Sequence, residues 1–113
     1  MYLFRDQYRS PIHIRSLIEV FAGAIEKGLT GILHAGGRER QSRLETGTQL
    51  AAAYGFDQSF IHSISYRDHN HSDIMHGDGS FDISFLTQML PGLRLRPLAE
   101  EFLTDAHQSL NNE

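Results

Sequence analysis

The stretch YRSPIHIRSLIEVFAGAIEKGLTGILHA, residues 8–35, decides the fold because its hydrophobic period changes twice. Tyr8 to Ile14 alternates, which predicts a short or edge strand, since Pro11 has no N–H to donate to a ladder. Gly31 to Ala35 is an apolar run that suits a buried strand. A helical pattern separates the two, so the order predicts a parallel pair of strands joined by this helix.

The helical pattern begins and ends with recognisable signals. Ser16 and Glu19 have the spacing of a capping box, in which each side chain satisfies a main-chain N–H of the first turn. Lys27 places a cation at the negative end of the helix dipole, and Gly28 favours the stop. The apolar residues between these ends share one face at helical spacing: Leu17, Ile18, Phe21, Ala24 and Ile25.

Similar signals predict a helix and a strand in the middle of the chain. Ser42 and Glu45 form a second capping box, which opens a helix that ends at Tyr54 and Gly55. Phe60 to Tyr66 alternates apolar and polar residues, which predicts a third strand.

Two further helices are predicted towards the C-terminus. Asp82 is a good N-cap for a short helix over Ile83 to Leu90, and Pro97 suits the first position of a last helix that reaches Leu110. We therefore predict a single α/β domain over residues 1–113, with a few short strands, at least one parallel pair and about four helices.

Composition excludes several classes of protein. The formal net charge is -4, and the nine arginines and one lysine form no basic block, so a nucleic-acid partner is not expected. The absence of cysteine excludes disulfides and thiolate metal sites. No apolar run approaches the length of a membrane span, and the polar N-terminus does not resemble a secretion signal, which predicts a cytoplasmic protein.

Motifs for a nucleotide cofactor are missing. Gly77 and Gly79 begin a glycine-rich fingerprint, but its third position is Asp82. A catalytic tyrosine four residues before a lysine is also absent, because Lys27 is the only lysine and Gly23 stands at that position. We expect no cofactor to bind to this chain alone.

The stretch HNHSDIMHGDGSFD, residues 69–82, raises the alternative of a small metal- or ligand-binding module. His69 and His71 project to the same side of an extended segment, and His76 is near enough in sequence to join them. A polar loop collects the same residue types because they solvate well and accept turn geometries.

Basic residues after the Gly36-Gly37 turn are candidates for binding an anion. Arg38, Arg40 and Arg43 carry forked donors that match phosphate, although a solvated loop and helix start explain them equally. His13 and His34 lie within predicted strands, where a structural role is commoner than a functional one.

Three segments together resemble extended short-chain dehydrogenases, especially dTDP-4-dehydrorhamnose reductases. Phe4 to Gly37 is similar to their C-terminal RSPIYVDDLA, a helix and GLTGIYHLAG. RERQSRLETGTQLAAAYGFDQSFI, residues 38–61, is similar to ERISRYEFGLALAEAFGLDPSLI. Gly79 to Phe102 is similar to the closing VSLDTSKARRLLGFRPRPLEEGL. His13 replaces the family's tyrosine, Arg15-Ser16 its DD pair, and residues 75–82 lack the arginine and proline of RPRDVSLD, for which His76 is a partial replacement.

The resemblance implies the C-terminal, nucleotide-sugar-binding portion of such a reductase or epimerase, without the N-terminal half that holds the dinucleotide. It implies no activity for this chain alone, and NAD(P)H for a full-length relative. Its expected partners are a nucleotide sugar and either the missing half or further copies of the chain. The residues expected to contact the substrate are Arg9, His13, Arg38, Arg43 and His76.

Overall fold

A computed structural model describes residues 1–111. Its strands are β1 (Tyr2–Phe4), β2 (Tyr8–Arg9), β3 (Gln41–Ser42) and β4 (His62–Ile64), and its helices are α1 (Ile14–Glu26), α2 (Arg43–Tyr54), α3 (Ser84–Met89) and α4 (Leu98–Asn111). Short 3-10 turns cover Gln58–Phe60, Tyr66–Asp68 and Ser72–Ile74. No helix within residues 1–111 has the length and apolar character needed to cross a membrane.

The strands form two separate pairs. β1 lies parallel to β4, with Tyr2 opposite His62, and β2 lies antiparallel to β3, with Tyr8 opposite Ser42. The predicted α/β class with a parallel pair and four helices is confirmed. The members of that pair were predicted wrongly, because β1 was not expected and the strand before α1 pairs with β3 instead.

The apolar run Gly31 to Ala35 is not a strand, contrary to the prediction. Within the described part of the chain, the main chain from Gly31 to Gly36 makes no hydrogen bond to another segment. A strand requires a partner for its N–H and C=O groups, whatever its own propensity. The predicted strand Phe60 to Tyr66 is likewise reduced to β4, since a 3-10 turn precedes it and another follows it.

Helix α1 begins earlier than its sequence signal indicates. The N-cap is His13, whose Nδ1 accepts the main-chain N–H of Arg15 at 3.1 Å, so Ser16 is buried inside the first turn and the predicted Ser16–Glu19 box is wrong. The end at Gly28 is confirmed by its positive φ of 61°. Lys27 is the C-cap, and its Nζ donates to the carbonyl of Met89 at the end of α3.

Helix α2 follows its prediction closely. Ser42 Oγ accepts the N–H of Glu45, Glu45 Oε1 accepts the N–H of Ser42, and each distance is 3.1 Å. The helix ends at Tyr54, and Gly55 adopts the left-handed conformation that closes it.

Helices α3 and α4 each begin one residue later than predicted. Asp82 Oδ1 accepts the N–H and the hydroxyl of Ser84, so Asp82 forms a turn ahead of α3 and Ile83 occupies the N-cap position. Pro97 lies just before Leu98, and its carbonyl accepts the N–H groups of Glu100 and Glu101.

The apolar core is small and lies where α1 meets α3. Val20, Leu86 and Leu90 form it, with partly buried neighbours Ile12, Leu29, Leu33, Ala35, Ile83, Leu93 and Leu95. The described chain measures 45 × 44 × 17 Å, with a radius of gyration of 16.3 Å. A compact chain of this length has a radius of gyration of about 13 Å, so this chain is less compact, and its shortest dimension makes it flat. Many of its large apolar side chains are exposed.

A cluster of charged side chains joins the start of α1 to α4. Glu101 is 1% exposed, and Arg15 donates to its Oε2 from Nε at 2.9 Å and from Nη2 at 2.6 Å. Arg96 donates to the other oxygen at 3.2 Å. Asp105 accepts from Arg15 Nη1 and pairs with His13 Nε2, both at 2.6 Å. Every oxygen of the two carboxylates therefore has a partner.

These contacts lower the pKa of both carboxyl groups. Burial raises the pKa of Glu101, but hydrogen bonds from Arg15 and Arg96 lower it further, so the pKa lies below its usual value. For Asp105, burial is likewise outweighed by hydrogen bonds from His13 and Arg15, and its pKa is also lowered. Both groups are ionised at neutral pH.

Replacement of the buried carboxylate should destabilise the fold. We expect Glu101→Gln to lower the free energy of unfolding by about 1–3 kcal/mol, because the guanidinium of Arg15 loses a charged acceptor in a buried position. Urea denaturation followed by circular dichroism measures the change. Glu100→Gln is the matched control on the exposed side of α4, and an equal loss in both variants would contradict the assignment.

The same cluster predicts a loss of stability in acid. The folded-state pKa of Glu101 is below its unfolded value of about 4.3, so its contribution is complete above that pH and is lost as the pH falls through the folded-state pKa. Denaturation at a series of pH values should show a smaller acid loss for Glu101→Gln than for the wild type. Identical pH slopes for the two proteins would refute this contribution.

Gly37 lies against the connection between β2 and α1. A Cβ at this position would stand 1.9 Å from the carbonyl oxygen of Pro11, a main-chain atom that cannot move aside cheaply. We expect Gly37→Ala to lower the melting temperature by several degrees, in the range of strongly destabilising substitutions. Gly92→Ala, where a Cβ meets nothing within 4 Å, should be nearly neutral in the same thermal scan.

Candidate functional site

A cavity of about 820 Å³ opens beside β1 and α2. Leu3 of β1, Arg9 of β2 and Gln41 of β3 contribute to its wall, and α2 contributes five residues between Arg43 and Ala51. Its apolar lining consists of Met1, Leu3, Pro11, Leu50, Ala51, Phe56, Phe60 and Ile61. Two arginines, Arg9 and Arg43, stand among these apolar residues, so the cavity offers cations beside an apolar surface.

Arg43 is fixed at the start of α2. Its Nε donates to Oε1 of Gln7 at 2.8 Å, and Gln7 is buried with 4% exposure. Within residues 1–111 the two terminal nitrogens of the Arg43 guanidinium have no hydrogen-bond partner. The buried amide therefore orients the guanidinium and leaves its fork of donors free for a ligand.

Arg9 is fixed by main-chain carbonyls. Its Nη1 donates to the carbonyl of Tyr8 at 2.6 Å and to that of His76 at 3.2 Å. The loop that follows His76 packs directly on the Arg9 guanidinium, since a Cβ at Gly79 would stand 2.9 Å from Nη1. Arg9 thus connects the cavity to the segment that carries the histidines.

Buried amides also support the wall of the cavity. Gln41, 3% exposed, accepts from the hydroxyl of Thr46 at 2.7 Å and donates to Gln49 Oε1 at 3.1 Å. Asp57 lines the cavity, and the N–H and hydroxyl of Ser59 lower the pKa of its carboxyl. Asp57 is consequently ionised at neutral pH and is no proton donor there.

The remaining residues predicted to contact a substrate lie elsewhere. His13 is engaged in the charged cluster with Asp105. Arg38 lines a narrow crevice beside His13 and Arg96. His76 is exposed and contributes only its carbonyl to Arg9. Of the five predicted residues, the structure brings Arg9 and Arg43 to one cavity.

Arg40, considered as an anion contact in the sequence, already has partners. Its guanidinium carbon lies 3.6 Å from the centre of the Tyr8 ring, and Nη2 lies 3.1 Å from Asp78 Oδ2. Hydrogen bonds from Ser80 and from Arg40 lower the pKa of Asp78 to about 2. Arg40 therefore holds the 78–80 turn against β2.

The histidine stretch does not assemble a metal site. His69 and His71 are close, with ring centres 5.8 Å apart, but His69 Nδ1 accepts the main-chain N–H of His71. Among residues 1–111, no group of three or more histidine, aspartate and glutamate side chains is placed to hold a metal ion. The geometry gives the three-histidine alternative no support.

The two glycines considered as the start of a dinucleotide fingerprint do not form its turn. Gly77 and Gly79 flank an isolated bridge between Tyr8 and Asp78, and no strand leads from them into a helix, since α3 begins only at Ser84. The turn that cradles a pyrophosphate at a helix N-terminus is therefore not formed by these glycines.

The fold of the described chain is similar to part of two solved structures. No family model matches the sequence, and no curated protein is matched by it. Among solved structures, dTDP-4-dehydrorhamnose reductase from Yersinia enterocolitica is similar over 92% of this chain, with a TM-score of 0.74 and 14% sequence identity. The dTDP-4-dehydrorhamnose reductase of Bacillus anthracis str. Ames, in complex with NADP, is similar over 96%, with a TM-score of 0.73 and 18% identity.

The chain covers only a minor part of these two structures. It spans 36% of the Yersinia protein and 38% of the Bacillus protein. At these identities the likeness concerns the fold, and at that level it confirms the resemblance inferred from the sequence motifs.

Proposed function

We propose that this chain is the nucleotide-sugar-binding portion of a dTDP-4-dehydrorhamnose reductase-like protein. The observation that carries the proposal is the position of Arg9 and Arg43 at one cavity in a chain with this fold. The remaining part of such a protein, nearly two thirds of the two similar structures, would hold the dinucleotide.

The chemistry of the cavity agrees with a nucleotide diphosphate ligand. Guanidinium groups bind phosphate oxygens through paired N–H donors, and Gln7 leaves the terminal nitrogens of Arg43 free for this contact. The aromatic rings of Phe56 and Phe60 supply apolar surface for a base or a sugar ring. A volume of about 820 Å³ is within the usual range of sites for small ligands and cofactors.

The proposal assigns binding, and no chemical step, to this chain. A sugar reduction needs a hydride carrier and a proton donor, and we expect both, with NAD(P)H as the carrier, in the remaining part of the protein. A cytoplasmic location stays a prediction from the sequence.

Thermal denaturation with and without dTDP or a dTDP-sugar tests the proposal. We expect the ligand to raise the melting temperature through mass action, and Arg43→Ala or Arg9→Ala to weaken its binding by about tenfold or more, the effect of losing a charge-assisted hydrogen bond. Isothermal titration calorimetry then gives the dissociation constants.

The matched control is Arg94→Ala, which removes an arginine that lines a different groove. It should bind dTDP as the wild type does. Absence of any dTDP-dependent stabilisation, or equal weakening in Arg94→Ala and Arg43→Ala, would overturn the proposed function.

A further inference from the structure

The two arginines of the cavity differ from other arginines of the chain in what holds them. Within residues 1–111, carboxylates pair with the guanidinium groups of Arg15, Arg40 and Arg96. Neutral oxygens hold the cavity arginines instead, main-chain carbonyls in the case of Arg9 and the amide of Gln7 in the case of Arg43. No salt bridge among the described residues involves either of them, so both keep a positive charge that a ligand can neutralise.

Gln7 is held in a fixed place by the residues on either side of it. Asp6 Oδ1 accepts the main-chain N–H of Tyr66 at 2.9 Å, and the N–H of Tyr8 donates to the carbonyl of Gly77 at 2.6 Å. The main chain is therefore fixed before and after Gln7, whose side chain is buried. A buried amide on a fixed main chain supports its hydrogen-bond partner rigidly.

The contact between Gln7 and Arg43 determines the charge that faces the cavity. Nε of Arg43 can only donate, so the residue at position 7 must offer an oxygen, as both glutamine and glutamate do. The two side chains have nearly the same size, but a glutamate would pair with the guanidinium as a carboxylate and engage its N–H groups in pairs. Glutamine orients the same guanidinium and leaves its charge uncompensated.

We propose that Gln7 is a positioning residue that orients Arg43 without neutralising it, and that the cavity consequently prefers a nucleoside diphosphate to a monophosphate. Arg9 and Arg43 against the single carboxylate of Asp57 leave the side chains of the cavity with a net positive charge. A carboxylate at position 7 would cancel that charge. The preference rests on the proposed function, which supplies the nucleotide.

Isothermal titration calorimetry with dTDP and dTMP tests the role of Gln7. The measured quantity is the dissociation constant of dTMP divided by that of dTDP. We expect a ratio of about ten or more in the wild type, the effect of one additional charge-assisted contact, and a ratio near one in Gln7→Glu. Gln7→Met is neutral but offers no oxygen, so Arg43 keeps its charge and loses its support, and the ratio should be intermediate.

The ratio separates positioning from a merely structural role. A distorted cavity would weaken dTDP and dTMP alike and leave their ratio as in the wild type. Gln88→Glu is the matched control, because it makes the same change of charge at an exposed position of α3 that does not line the cavity. It should keep the wild-type ratio. Circular dichroism without ligand establishes that each variant is folded, and Gln7→Met decides the question if Gln7→Glu does not fold.

Two results would overturn the role of Gln7 and leave the proposed function standing. They are a wild type that binds dTDP and dTMP equally, and a folded Gln7→Glu variant, or in its absence Gln7→Met, with the wild-type ratio. A wild type that binds neither nucleotide overturns the proposed function instead. The same comparison with pyrophosphate and phosphate then tests Gln7 alone, and a wild type that does not bind pyrophosphate either overturns both.

Discussion

The buried carboxylate of Glu101 joins the start of α1 to α4. The apolar core between α1 and α3 is small, and α4 is attached to the start of α1 through Glu101 and Asp105. Arg15 contacts both carboxylates, and Arg96 adds the segment before α4 to the same cluster. A charged pair in a buried position is costly to break, because the remaining partner is left desolvated and unpaired. This polar cluster therefore adds to the small apolar core in fixing α4.

The candidate cavity depends on similar polar contacts a short distance away. Gln7 and Gln41 are both nearly inaccessible to solvent, and each uses its amide to fix a side chain near the cavity. Neither glutamine carries a charge, so the side-chain charges of the cavity are the two cations Arg9 and Arg43 and the carboxylate of Asp57. Rigid, uncharged support around two oriented cations is the arrangement that lowers the entropic cost of binding an anion.

Local signals in the sequence predicted local structure well. The capping box at Ser42 and Glu45 and the stop at Gly55 need only neighbours along the chain, and both are present. The start of α1 was predicted wrongly, because His13 is held there by Asp105, a residue of α4 that no local pattern reveals. The run Gly31 to Ala35 has the composition of a buried strand, but composition cannot supply a neighbouring strand.

The candidate site likewise combines residues that the sequence predicted with residues that it did not. Arg9 and Arg43 were predicted as anion contacts, and the structure places them at one cavity. Nothing in the sequence indicated that Gln7 and Gln41 are buried, because a polar residue in a loop or short strand is ordinarily exposed. The resemblance to reductases, which rested on motifs in the same order along most of the chain, predicted the fold even though sequence identity to the solved structures is low.

The pairing of β1 with β4 has a consequence for the order of folding. Helices α1 and α2 form from neighbouring residues, but Tyr2 can meet His62 only after both helices and their connections have been enclosed in one long loop. Closing such a loop is entropically unfavourable until the other contacts exist, so this pair belongs to the late steps of folding. Leu3 and Ile61 lie in or beside these strands and line the cavity. The cavity is accordingly incomplete until this long-range pair has formed.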